Sequence, residues 1–179
     1  MKIPKIPSKI DMSILRKICS KDNCYNIKKC TFPNKTQRIR KEHISKNIVS
    51  KNKTNTHIYK IYDTINKTNP KGKYYYYDKL DIDAGKKRII FSNKGYLLPF
   101  ITENNCETYS DNFSYILDET NLFKLINSKI VDYLISQFSK NGFDRINCIK
   151  MIKKVELTNN IYNSFNLTQK EIDIIENRQ

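Results

Sequence analysis

Seven apolar side chains near the carboxy terminus leave little freedom in the choice of fold. Leu122, Leu125, Ile126, Ile130, Tyr133, Leu134 and Phe138 recur at three- and four-residue steps, so they line one side of a helix. Such a stripe must be buried against another element. The sequence supplies strands upstream. Ile58, Tyr59, Ile61, Tyr62 and Ile65 form a β-prone run, Asn69-Pro70-Lys71-Gly72 carries turn chemistry, and Tyr74–Tyr77 sets four aromatics in a row. Ala84-Gly85 marks another turn. Lys87-Arg88-Ile89-Ile90-Phe91 is a buried-strand segment closed by Ser92-Asn93-Lys94-Gly95, Tyr96–Ile101 is extended around Pro99, and Phe113–Leu117 is a further strand.

After the apolar stripe, Asn141-Gly142 suits a helix C-cap, and Ile146, Ile149 and Ile152 suggest a second, shorter helix. Thr168-Gln169-Lys170-Glu171 has the form of a capping box, with Leu167 and Ile172 spaced for a hydrophobic staple. Strands first and helices last predict an α+β fold, with short, mostly antiparallel strands followed by a helical carboxy-terminal segment packed on the sheet. Residues 1–56 are polar, interrupted by Pro4, Pro7 and Pro33, and read as a basic, partly disordered arm with one short helical stretch at Met12–Ile18. Residues 57–179 read as the folded domain.

Charge bears on partners. The chain carries 33 Lys and Arg against 18 Asp and Glu, a net charge of +15. Residues 1–60 hold 16 Lys and Arg against Asp11, Asp22 and Glu42, a balance of +13, while residues 61–179 hold 17 against 15, a balance of +2. Ile (27), Lys (27) and Asn (21) make up 75 of the 179 residues, all three with A/T-rich codons, as in the genome of a large virus or a parasite. Codon drift enriches Lys everywhere, but it does not gather the excess in the first third. A basic arm on a near-neutral body suits a polyanion, because Lys and Arg release counterions from phosphates. The alternative is a solvated tail without a partner.

Little catalytic apparatus is legible. His43 and His57 are the only histidines, and neither sits in a recognisable triad pattern. Gly72, Gly85, Gly95 and Gly142 are dispersed, so no phosphate-cradling glycine loop exists. Cys19, Cys24, Cys30 and His43 lack the tight two-residue knuckle of structural zinc sites, and free thiols are the expectation for them, as for Cys106 and Cys148. No apolar run approaches the ~18 residues of a bilayer span. The reading is a soluble intracellular protein in a reducing compartment (host cytoplasm, or a virion if viral), away from membranes and without a cofactor or metal. Asp78, Asp81 and Asp83 followed by Lys86 and Lys87 follow the acid-then-lysine order of metal-dependent nucleases, and a solvated loop is the competing reading.

The interleaving of aromatic and basic residues is the better signal. Tyrosine offers a stacking face while Lys and Arg meet phosphates. On a strand only alternate tyrosines share a face, so either Tyr74 and Tyr76 or Tyr75 and Tyr77 are exposed. The candidate nucleic-acid contacts are Lys71, Lys73, Tyr74, Tyr76, Lys86, Lys87, Arg88 and Lys94. A core strand with one wet face is the competing reading.

Four stretches, in order, resemble a known family: Lys87 through Phe100 (a strand leading into Gly95-Tyr96-Leu97-Leu98-Pro99), Leu125 through Leu134 (with Ser128-Lys129), Ser139-Lys140-Asn141-Gly142-Phe143, and Phe165-Asn166-Leu167-Thr168-Gln169-Lys170-Glu171-Ile172. Their succession is similar to the carboxy-terminal target-recognition region of restriction–modification N6-adenine DNA methyltransferases and their fused endonuclease relatives. The Asn/Asp-Pro-Pro-aromatic motif of those enzymes and their S-adenosylmethionine-binding glycine strand are absent, and Asn105-Cys106-Glu107-Thr108 stands where a glycine-threonine turn is common. The resemblance implies a DNA-recognition module without its enzyme: a stand-alone remnant, a subunit whose protein partner supplies catalysis, or a DNA-binding protein in its own right; it carries over no catalytic residue. The function expected is therefore non-catalytic binding of nucleic acid, DNA in preference to RNA. The alternatives are a small Mg-dependent nuclease or its remnant, and a protein-interaction module.

Overall fold

Capping chemistry sets the helix starts. In the computed structural model, which describes residues 8–30, 39–66, 69–92, 99–102, 107–138 and 145–177, α1 (Lys9–Ile18) opens on a reciprocal box. The Ser8 hydroxyl accepts from the Asp11 N–H, and the Asp11 carboxylate accepts from the Ser8 N–H. Ile14, Leu15 and Ile18 form its buried face, as their spacing predicts. The strands are β1 (Lys28–Lys29), β2 (Tyr59–Asn66), β3 (Asn69–Tyr77), β4 (Arg88–Ser92), β5 (Phe100–Thr102), β6 (Thr108–Tyr109) and β7 (Phe113–Leu117). The remaining helices are α2 (Lys41–Ser45), α3 (Leu122–Ile126), α4 (Lys129–Phe138), α5 (Arg145–Met151), α6 (Ile161–Ser164) and α7 (Gln169–Glu176). The class is α+β, with antiparallel strands dominant and helices toward the carboxy terminus, as expected.

The chain divides into two compact units, Met1–Asn26 with Glu119–Gln179, and Ile27–Asp118. This division differs from an arm ending at residue 56. The polar first third contributes to both cores, with Ile14, Ile18 and Val49 fully buried, because its few apolar residues are spaced to face inward. The first unit is helical. The Tyr133 hydroxyl donates to the Asp11 carboxylate at 2.7 Å, joining α4 to α1, and the Ser13 hydroxyl and Lys17 ammonium both reach the Glu171 carboxylate at 2.7 Å, joining α7 to α1. The helices α4 and α7 are thus bonded to α1 within this unit. Isolated bridges, Cys19 to Ile152 and Cys24 to Lys153, tie the segment after α1 to the end of α5.

The single long helix expected over Leu122–Phe138 is two helices. Asn127 and Ser128 interrupt it. The Ser128 hydroxyl turns back to the Leu125 carbonyl at 2.6 Å, the local side-chain bonding that makes such residues poor in helix interiors and good at helix ends. The capping box at Thr168 and Glu171 is present, and α5 buries Ile149 and Cys148. Asn141-Gly142 lies outside the described residues.

The second unit holds two sheets. One has the order β1-β7-β4-β5, all antiparallel; the other is β3-β2-β6, with β2–β3 antiparallel and β2–β6 a short parallel pair. β4 is central and almost wholly buried, which suits its unbroken apolar run. The turn expected at Asn69–Gly72 is part of β3. Asn66 pairs with Asn69, and Gly72, at φ +72°, sits beside the register shifts between Tyr62 and Asn66 instead of turning the chain. A Cβ there would come within 2.9 Å of the Ile65 side chain, so glycine is required both by its dihedral and by its neighbour. Ile39, Val49, Ile61, Tyr75 and Tyr77 form one core of this unit, with Ile44 and Ile48 packed against it. Cys30, Ile90, Tyr109, Phe113 and Tyr115 form the other.

Candidate nucleic-acid interface

Three of the predicted phosphate contacts belong to a different construction. Arg88 begins β4 and is 0 % exposed. Its guanidinium lies 5.7 Å from the Tyr109 ring centroid and 5.4 Å from that of Tyr115, and it donates to the Asp81 carboxylate (3.4 Å) and the Glu107 carbonyl (3.0 Å). A guanidinium so enclosed does not reach a phosphate. Lys86 is paired with Asp83 at 2.6 Å, and Lys87 with Asp118 at 2.9 Å. Asp83 also accepts from the Tyr115 hydroxyl (2.6 Å) and from Lys28 (2.9 Å). Lys86, then Tyr115, then Lys28 hold its carboxyl far below the usual carboxylate range, against the opposing pull of burial. The Asp81–Arg88 turn is thus a knot of paired charges, and its lysines are matched to Asp83 and Asp118.

The same contacts bear on the nuclease alternative. Asp81 and Asp83 are buried and committed to Arg88, Lys28, Lys86 and Tyr115, while Asp78 is exposed. Among the described residues no group of three His, Cys, Asp or Glu is arranged to hold a metal ion. Cys19 and Cys24 belong to the helical unit, Cys30 and His43 to the other. Burial, with Cys24 nearby, pushes the Cys19 thiol up to about 11, and burial also pushes up that of Cys30, so neither thiol is an activated nucleophile.

The β2–β3 hairpin carries what remains of the prediction. In an antiparallel pair, residues directly opposite share a face. Lys60 opposes Tyr76 and Tyr62 opposes Tyr74, while Ile61 opposes Tyr75 and Tyr59 opposes Tyr77. Tyr75 and Tyr77 are buried at 7 % exposure each, and Tyr74 is 40 % exposed with Tyr76 partly so, which selects the Tyr74–Tyr76 pair as the wet one. These two rings meet edge to face at 5.9 Å, and the Lys60 ammonium lies 5.0 Å from the Tyr74 ring centroid. Tyr62 continues the row, 5.7 Å from Tyr74 and stacked on Tyr109 at 5.4 Å. Its hydroxyl donates to Glu107 at 3.0 Å, and burial followed by that carboxylate pushes its pKa up to about 12. The row therefore runs from a wet end with a cation to a dry end in the core.

Lys73 is exposed but points to the opposite face, with its ammonium 5.4 Å from the Tyr75 ring centroid. Lys71 lies in β3, its side chain outside the described set, and Lys94 falls outside the described residues. Lys60, the cation that does stand beside the exposed tyrosines, is missing from the sequence-level set. Its signal was the hairpin register, which a pairing of Tyr62 with Tyr74 would have disclosed. No described helix is long and apolar enough to cross a membrane. Compared with known proteins, the chain matches no family model, no curated protein and no solved structure.

Proposed function

We propose that this chain is a non-catalytic nucleic-acid-binding module, with DNA preferred to RNA, and that it binds strands on the exposed face of the β2–β3 hairpin. The observation that carries the reading is the wet Tyr74–Tyr76 pair with Lys60 above it. Rings at that spacing offer bases a stacking surface, and a cation beside them meets the backbone. The charge of the surrounding unit supports it. Ile27–Asp118 holds 18 Lys and Arg against 9 Asp and Glu, a balance of +9, compared with +6 for the rest of the chain. The preference for DNA follows the resemblance to methyltransferase target-recognition regions, which also makes a protein partner supplying catalysis part of the proposal.

The test is fluorescence anisotropy with short labelled DNA across a salt series. The logarithm of affinity falls linearly with that of salt. Tyr74→Ala weakens binding by about 1–3 kcal/mol, and Lys60→Ala lowers the salt slope by about one. Equal retention of DNA by wild type and both variants, or none at low salt, ends the proposal.

One observation favours the protein-interaction alternative. With Asp81 and Asp83 drawn inward, the turn displays Ile82 at 88 % exposure beside the half-exposed Leu80. Salt-insensitive capture of a protein, lost in Ile82→Asp, would support that reading over nucleic acid.

A further inference from the structure

On the face of the hairpin opposite Tyr74, an open groove of about 570 Å³ runs beside α2. Lys41, Ile44 and Ser45 of α2 line it, together with Lys51, Lys73 and Tyr75. We propose that this groove binds a phosphate-bearing small anion, a nucleoside phosphate in chemical class, with Lys41, Lys51 and Lys73 on the phosphates and Ile44 and Tyr75 under its apolar body.

Three features of the groove carry the assignment. The first is its charge. All three lysines are exposed; among the described residues no carboxylate lines the groove and none forms an ion pair with them, Asp63 acting on Lys73 only at longer range. Three like charges gathered around one concavity repel one another until an anion neutralises them. The second is its floor. An apolar lining with a few placed polar groups, in a volume of this order, is the ordinary make-up of a small-molecule site.

The third is that the groove is held in shape. Each wall is fixed by a buried histidine. His43 Nδ1 accepts from the Arg40 N–H at 2.8 Å and so pins the start of α2, which carries Lys41. His57 Nε2 donates to the Asn47 carbonyl at 3.0 Å, while its Nδ1 faces the Thr56 hydroxyl at 3.0 Å, closing the loop that carries Lys51. Ser50, next to Lys51, exchanges both backbone hydrogen bonds with Tyr76 of β3, at 2.9 and 2.7 Å. Lys73 is held beside Tyr75, and its hydrogen bond to the Tyr75 hydroxyl raises its pKa. The backbone that carries Lys41 and Lys51 is thus set before a ligand arrives, and only the side chains are ordered on binding.

The site stands apart from the nucleic-acid reading, since it uses other residues on another face. The experiment is titration of the full chain with a fluorescent ATP analogue at low salt, followed by competition. Saturable binding is expected, displaced by unlabelled ATP and by inorganic triphosphate but not by adenosine. Each of Lys41→Ala, Lys51→Ala and Lys73→Ala weakens it roughly fivefold to tenfold. The triple variant abolishes it while keeping the wild-type circular dichroism. A matched control, Lys21→Ala with Lys124→Ala and Lys150→Ala on exposed positions of the helical unit, leaves binding unchanged. A short oligonucleotide is the second competitor. Displacement by the strand at equal phosphate concentration names the nucleic-acid backbone as source, and displacement by ATP alone names a free nucleotide. No saturable binding, adenosine competing as well as ATP, or equal weakening by the control set would overturn the assignment. Because Tyr74→Ala leaves this groove intact, nucleotide binding that survives in that variant separates failure of this site from failure of the Tyr74 face.

Discussion

Arg88 shows how a single residue can mislead when read in its sequence neighbourhood. Lys86-Lys87-Arg88 reads as a cationic cluster, yet the third member is among the largest fully buried side chains of the described residues and the first two are paired with acids. What decides its fate is Asp81 on one side and the Glu107 carbonyl with Tyr109 and Tyr115 on the other, partners that only the folded sheet brings near. Arg88→Met leaves Asp81 buried without its cation, so we expect a loss of roughly 3–5 kcal/mol of stability. Urea denaturation checks this, and a change below about 1 kcal/mol would contradict the enclosed pair. The choice between Tyr74–Tyr76 and Tyr75–Tyr77 was open for a related reason. Alternation assigns residues to two faces, but only Ile61 and Val49 on the far side determine which is dry.

Among the elements, those whose signals are local were legible. The box at Thr168 and Glu171 and the faces of α1 and α5 follow from neighbours within a turn. β1 and β6, two residues each, were not, because they exist only through pairing with β7 and β2. The interruption at Ser128 was legible in principle, since serine competes for backbone groups, but the apolar stripe outweighed it. The Thr168 box has a pH consequence. Burial acts to raise the Glu171 carboxyl, but Lys17, the Thr168 backbone N–H, and the Ser13 and Thr168 hydroxyls outweigh it and hold the pKa at about 2, below its ordinary 4.5. A depressed folded-state pKa gives stability that is present above the unfolded value and lost as pH falls through the folded one. The contribution, on the order of 3 kcal/mol, should therefore fade between about pH 4.5 and 2. Glu171→Gln lowers stability at neutral pH and flattens that acid limb; thermal melts at a series of pH values check both, and a variant curve parallel to the wild type would be the contrary result.

At the scale of the whole molecule, the arm-plus-domain division of the sequence gave way to two units, one of them discontinuous. Local composition hid this, because α1 lies in a polar stretch and its partners lie more than ninety residues away, Tyr133 from Asp11 and Glu171 from Ser13. The upstream charge is likewise shared between the units. Since the Ile27–Asp118 unit holds both of its own clustered cores, we expect that segment, expressed alone, to fold cooperatively. Dispersed amide resonances and a two-state melt are the readouts, and a random-coil spectrum would show that it depends on the helical unit.

The pairing of Lys28 and Lys29 with Tyr115 and Ser114 places the beginning and the end of the second unit on adjacent strands. During synthesis the first helix therefore leaves the ribosome without its future companions, and 92 residues, Ile27 through Asp118, must follow before any of them emerges. At roughly 5–20 residues per second that wait lasts on the order of 5–20 seconds. The β1–β7 pair joins the first and last strands of the inserted unit, so that unit closes on itself only as its final strand is added.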